Sequence, residues 1–199
     1  MEIKMFDKWN TDGIAVNDLG LRRYINLEPK IVPKSSGRYP TKQFHKSKMN
    51  IVERLITKIM VPGHRGKKHV ISSAKATGQY QTAYKIVKVA FEKIEHMTKK
   101  NPVEILVRSL ENSALREEIA AYQVGGIIVR RAVITSPQRR VDLALRIMIQ
   151  ASYRKSFGKK EDMAGALATE IVAAYNRDAS KSEAIKDRDR TEKEAEGAR

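Results

Sequence analysis

Gly125-Gly126-Ile127-Ile128-Val129-Arg130-Arg131 and, five residues on, Ser136-Pro137-Gln138-Arg139-Arg140-Val141-Asp142-Leu143-Ala144-Leu145-Arg146 are the stretches that decide the fold. The first reads as a hairpin tip entering a strand, because paired glycines accept the positive φ of a tight turn and branched residues follow. The preceding arm, Arg116 to Gln123, has glutamates and alanines with helical propensity, but the turn predicts that it pairs with the strand. The second stretch reads as a helix. Ser136 is a good cap, Pro137 occupies the first helical position where its missing N–H costs nothing, and Val141, Leu145, Met148 and Ile149 form an apolar stripe.

That helix starts with unusual charges. Its third position, where a glutamate would complete the cap, holds Arg139, and Arg140 follows. Cations there oppose the helix dipole by about 0.3–1 kcal/mol each. Elsewhere the chain follows the usual rule, with Glu53 after Asn50, Glu104 after Asn101-Pro102 and Glu183 after Ser180. Two readings are open: an external anion such as phosphate neutralises the arginines, or they pair with carboxylates elsewhere in the fold.

Working outward, residues 49–61 read as a helix with Ile51, Val52, Leu55, Ile56, Ile59 and Met60 on one face, stopped by Pro62-Gly63. The polar, basic stretch to Gly78 reads as a loop. A long helix from about Gln79 to Lys99 buries Tyr80, Tyr84, Val87, Phe91, Ile94 and Met97. Another starts at Asn101-Pro102 and buries Val103, Leu106, Val107 and Leu110. A helix from about Asp162 to Tyr175 buries Leu167, Ile171 and Val172, and a last one from Lys181, poor in apolar contacts, is expected to fray. Residues 1–48 have no sustained periodicity and read as an extended basic arm. The fold class is therefore mainly α: a single domain of about six helices, residues 49–199, with a protruding β-hairpin at about 117–135 and an N-terminal arm at 1–48.

Charge points to the partner. The chain has 39 Lys plus Arg against 23 Asp plus Glu, a formal charge of +16, which is an electrostatic footprint for nucleic acid. Between Lys30 and Lys48 there are six basic residues and no acidic one. Pro33, Gly37 and Pro40 break that stretch, so it is no membrane-surface helix. No apolar run is long enough to span a bilayer, and Met1 to Asn10 lack the apolar core of a signal peptide, so a cytoplasmic location is expected. The absence of cysteine excludes disulfides, thiolate metal sites and cysteine nucleophiles. His45, His64, His69 and His96 lack metal-ligand spacing, and Gly63-His64-Arg65-Gly66-Lys67-Lys68 lacks the spacing and the Ser or Thr of a phosphate-binding loop. Glu117, Glu118 and Asp142 form no recognisable acid–base constellation. The reading is of a non-enzyme without cofactor, metal, small-molecule substrate or membrane partner.

Four basic clusters remain as candidate nucleic-acid contacts. Arg38, Lys42, Lys46 and Lys48 lie in the arm; Arg65, Lys67 and Lys68 in the loop; Arg130 and Arg131 beside the hairpin tip; Arg139 and Arg140 at the helix start. Any one of them alone is the composition of a solvated surface. Only Tyr39 and Phe44 interleave aromatic rings with these cations, so phosphate contact should outweigh base stacking.

Ser36-Gly37-Arg38-Tyr39, Ile51-Val52-Glu53-Arg54-Leu55-Ile56, Asn101-Pro102-Val103-Glu104-Ile105-Leu106-Val107, Gly125-Gly126, Pro137-Gln138-Arg139-Arg140-Val141-Asp142-Leu143-Ala144-Leu145 and Ala184-Ile185-Lys186 occur in order. In these blocks residues 19–199 resemble the archaeal and eukaryotic form of small-subunit ribosomal protein family seven. The resemblance implies direct binding to the 3′ major domain of small-subunit rRNA, nucleation of head assembly, neighbouring ribosomal proteins as partners, and a place near the exit-site tRNA and the mRNA path. It puts rRNA contacts on the arm around Arg38, Lys42 and Lys46, on Lys67 and Lys68, and on Arg139 with Arg140. The tip at Gly125, Gly126 and Ile127 would face the exit site. Leu115 stands where the family usually has proline, and Ile119 to Gln123 lack the basic residues often found there. Two other classes share the composition: a DNA-binding helical protein, disfavoured by the long Gly63–Gly78 connection, and an RNA-processing factor, for which no catalytic constellation is visible.

Overall fold

The computed structural model describes residues 3–39, 41–65 and 68–199. Among these residues six α-helices carry the domain, three of them begun by a side-chain cap. Helix α1 (Ile51–Ile59) starts where the Asn50 side chain accepts from the Val52 N–H, and buries Ile51, Val52, Leu55, Ile56 and Ile59. Two short strands follow, β1 (His64–Arg65) and β2 (Lys68–His69), paired antiparallel in the segment expected to be a loop. Helix α2 (Tyr80–Thr98) buries Ala83, Val87, Ala90, Phe91 and Ile94. Met97, expected on that face, is exposed, because Lys99 ends the helix in the left-handed conformation beyond the last core contact. Helix α3 (Pro102–Ser113) is capped by Asn101, which accepts from the Val103 N–H.

Strands β3 (Glu117–Val124) and β4 (Ile127–Ile134) form the expected hairpin, in a register that pairs Glu117 with Ile134 and Val124 with Ile127. Gly125 and Gly126 both have positive φ, +55° and +89°, as a two-residue hairpin turn of matching twist requires. Helix α4 (Pro137–Ser156), α5 (Met163–Tyr175) and α6 (Glu183–Glu196) complete the fold. The core lies between α1, α2, α3, α4 and α5, with the alanine-rich α5 at its centre. Small residues such as Ala164, Ala168 and Ala174 let neighbouring helices approach closely.

Two further features depart from the pattern read in the sequence. Helix α6 does not fray: Ala184, Ile185 and Ala195 are buried, and the helix packs on the base of the hairpin. Its N-terminus is held by the buried carboxylate of Glu170, which accepts from the Ala184 N–H (3.1 Å) and the Ser182 hydroxyl (2.9 Å) and pairs with Lys155 at 2.6 Å. The second departure is the N-terminal segment. It has little regular structure, but Met5, Phe6, Trp9, Leu21 and Ile25 are buried in the common core. A tight turn with positive φ at Phe6 and Asp7 swings both rings onto α2, where Phe6 and Trp9 pack edge-on against Phe91 at 5.8 and 5.7 Å. Each such side chain contributes about 1.5–3 kcal/mol. Basic residues near 30–48 therefore belong to a segment anchored at its start, not to an arm attached only at residue 49.

Candidate nucleic-acid interface

The arginines at the start of α4 point in different directions, as adjacent helical residues about 100° apart must. Arg139 reaches across to β3, where Nε and Nη2 donate to both oxygens of Glu118 at 2.6 and 2.8 Å, a bond that holds its charge more firmly. It remains 53 % exposed. Arg140 turns inward, 11 % exposed, donating to Asp18 at 2.8 Å and to the Leu115 carbonyl at 3.0 Å. Burial raises the Asp18 pKa, but the Arg140 bond and the Gly20 N–H outweigh it and leave it below the ordinary value. Internal pairing thus occurs at both arginines, and the geometry of the two pairs differs. Ser136 makes no side-chain cap bond, so Pro137 and the proximity of these pairs define the helix start.

One turn on, Asp142 ties three segments together. It accepts from Lys46 of the N-terminal segment at 2.8 Å and from Arg54 of α1 at 3.2 Å. Arg54 is 1 % exposed and also donates to the Tyr24 carbonyl at 2.9 Å. Burial raises the Asp142 pKa, but Lys46 and Arg54 outweigh it, so the carboxyl titrates below its usual range. Lys46 is thereby a link to the fold as well as a surface cation.

The pairing of Lys46 with Asp142 seats the basic segment against α4. Gln43 and Phe44 line a shallow depression with Ser136, Arg139, Leu143 and Arg146. Further along α4, the Gln150 side chain donates to the His64 carbonyl of β1 at 2.6 Å, so that strand lies against the same helix. Between these two attachments stand Arg146, exposed, and Lys58 of α1. Burial lowers the Lys58 pKa, Lys46 and Arg146 add to that, and Asp142 opposes it. The result is a cationic strip along α4 from Arg139 to Arg146, with the segment of Arg38, Lys42 and Lys48 at one end and Lys68 toward the other. Arg38, Lys42, Lys48 and Lys68 are exposed. Sequence reading missed Arg146 and Lys58; the seven-residue spacing of Arg139 and Arg146, two helical turns on one face, was the available signal for the first.

Arg130 and Arg131 are exposed on β4 and, as consecutive strand residues, fall on opposite faces of the hairpin. Gly125, Gly126 and Ile127 form its exposed tip. Lys67 lies outside the described residues, and only the backbone of Arg65 is described. Among the described residues there is no group of three or more His, Asp or Glu placed to hold a metal, and no helix is long and apolar enough to cross a membrane.

A helical domain with a glycine-tipped hairpin and a basic strip beside the helix that follows matches one family model, described as ribosomal protein S7p/S5e, over residues 21–199. The chain belongs to the S7p/S5e family of ribosomal proteins. Members of this family are structural components of the ribosome, not enzymes. The chain is 45 % identical over 199 residues to the small ribosomal subunit protein uS7 of Nanoarchaeum equitans, with all of both chains covered. It is 43 % identical over 196 residues to the protein of that name from Methanococcoides burtonii, covering 98 % of this chain and 99 % of the relative. With the one from Methanothrix thermoacetophila it shares 42 % identity over 197 residues, covering 99 % and 100 %. The S7p/S5e match begins at Leu21, so the aromatic anchor at Phe6 and Trp9 lies before it, although the relatives align through that region.

Proposed function

We propose that this chain is a structural component of the small ribosomal subunit that binds the 3′ major domain of its rRNA directly, nucleates head assembly, and presents its hairpin tip near the exit-site tRNA and the mRNA path. The small-subunit assignment rests on the names of the relatives. The RNA-binding reading rests on one observation: the fold gathers the basic N-terminal segment, the paired strands β1 and β2 and the exposed face of α4 into one strip. Arg38, Lys42, Lys48, Lys68, Arg139 and Arg146 supply its outward charge, with Lys67, Arg65 of β1, and Arg130 and Arg131 at the hairpin as separate contacts. Lys46 and Arg140, tied to Asp142 and Asp18, orient the strip and contribute field more than reach. A rigid core with cations at separate points can hold RNA segments distant in sequence, recognising shape and phosphate position more than bases.

The test is a titration of the full chain with a transcribed 3′ major domain at several salt concentrations. Log affinity should fall linearly with log salt, with a slope of about −0.7 to −0.9 per phosphate engaged and roughly five or more contacts. An affinity nearly independent of salt would overturn the reading. Sucrose-gradient sedimentation of a cell extract should place the chain stoichiometrically with small subunits; a DNA-binding protein or a processing factor would not co-sediment in that ratio.

A further inference from the structure

A cleft of about 960 Å3 lies outside the basic strip, between the N-terminal segment, α3, the base of the hairpin, the start of α4 and the end of α5. Two large apolar side chains stand at its edge with no cover: Leu19 is 81 % exposed and Ile134 is 87 % exposed. The cleft also holds four arginines. Arg140 and Arg108 are neutralised by Asp18 and Glu111 at 2.8 and 2.9 Å. Arg116 and Arg177 form no ion pair among the described residues, and Arg177 is steadied by donating to the Asn112 side-chain oxygen at 3.0 Å. At the same place the Thr135 hydroxyl is buried without a hydrogen-bond partner among the described residues.

The charge pattern separates this surface from the RNA strip. Along α4 the one acidic group, Asp142, is already neutralised by Lys46 and Arg54. The cleft instead sets Asp18, Glu104 and Glu111 against its four arginines, so its charges nearly balance and it lacks the cationic excess of the strip. Exposed aliphatic side chains beside free arginines make the composition of a protein–protein interface, in which an apolar centre is flanked by charge-assisted bonds from arginine.

We infer that the cleft seats an extended polypeptide segment of a neighbouring small-subunit protein, one that presents an apolar side chain flanked by carboxylates. The apolar side chain covers Leu19 and Ile134, and the carboxylates pair with Arg116 and Arg177. The inference rests on the proposed small-subunit assignment and adds to it the surface and the chemistry of one partner.

The experiment places the photo-crosslinker p-benzoylphenylalanine at position 19, where exposure makes the change harmless to the fold, in the full-length chain expressed in cells. Small subunits are purified, irradiated and mapped by peptide sequencing. The expected result is a crosslink to one segment of another ribosomal protein rich in acidic and apolar residues. The double variant Arg116→Glu, Arg177→Glu should reduce that crosslink at least about tenfold, the effect of some 1.4 kcal/mol, while affinity for the rRNA fragment falls far less. A crosslink into rRNA, to a second copy of this chain, or to a protein segment indifferent to the charge reversal would overturn the inference, as would no crosslink in subunits that contain the chain. Absence of the chain from small subunits would overturn the proposed function itself and this inference with it.

Discussion

Replacing Arg139 and Arg140 separately by alanine should give effects of different size on the free protein, although the residues are adjacent. Arg140 is 11 % exposed and makes two bonds, to the Asp18 carboxylate and the Leu115 carbonyl. Charge-assisted bonds of this kind contribute about 1.5–3 kcal/mol, and two on one side chain do not simply add. Removing a cation from a helix N-terminus returns roughly 0.3–1 kcal/mol. The balance for Arg140→Ala is a loss of about 2–3 kcal/mol. Arg139 makes two shorter bonds to Glu118, but at 53 % exposure the pair is screened and contributes less than about 1 kcal/mol, which the dipole gain nearly cancels. Arg139→Ala should therefore change stability by no more than about 0.5 kcal/mol. Urea denaturation of each variant without RNA reads these values. At about 2–4 °C per kcal/mol for a domain of this size, thermal melting should fall by roughly 4–12 °C for Arg140→Ala and by no more than about 2 °C for Arg139→Ala. On rRNA the order reverses: Arg139→Ala should reduce the salt slope by about 0.7–0.9, and Arg140→Ala should leave it nearly unchanged. Equal stability losses, or an Arg140→Ala loss under about 0.5 kcal/mol, would refute the division of labour. Reversal of both charges to glutamate should destabilise the fold, because each new carboxylate would face Glu118 or Asp18, although the helix dipole alone would favour acids there.

Three further outcomes follow from the packing. Phe6→Ala should cost about 3–5 kcal/mol in urea denaturation, since the ring is buried against Phe91 and Tyr84; a loss under about 1 kcal/mol would mean that the N-terminal segment is not anchored. Asp142→Asn should destabilise by about 2–4 kcal/mol by leaving the buried Arg54 without its counter-ion. Because the folded Asp142 pKa lies below its unfolded value, its contribution is complete above about pH 5 and is lost as pH falls through the folded pKa, so the gap between wild type and variant in urea midpoint should close in acid. Glu170→Gln should speed amide exchange in α6 by about 10- to 100-fold, with the central helices much less affected.

The helices were legible where burial follows a period. Val103, Leu106, Val107 and Leu110 recur as one face of α3, and Gly125-Gly126 marks the hairpin turn because few other residues accept two consecutive positive φ values. The anchoring of the first 25 residues was not legible, since Met5, Phe6, Trp9, Leu21 and Ile25 are buried by irregular turns that leave no period. At the candidate site the unusual charges of α4 were visible, but their partners were not. Asp18 lies 122 residues from Arg140 in the chain, and only the folded path of the N-terminal segment brings them together. The strip itself required knowing that Lys46 and the His64 backbone meet the same helix, which no local pattern encodes.

The anchor at the N-terminus has an optical consequence. The chain has a single tryptophan, Trp9, buried between Phe6 and Phe91 with its indole N–H donating to Glu95 at 3.0 Å. All indole emission therefore comes from the one segment whose attachment the sequence concealed. Release of that segment into water would move the emission to longer wavelength while the helical circular dichroism of the core persisted. Since nucleic acid contributes almost no emission of its own in that range, the same unlabelled chain can report on whether its first turn stays docked while RNA is being captured elsewhere.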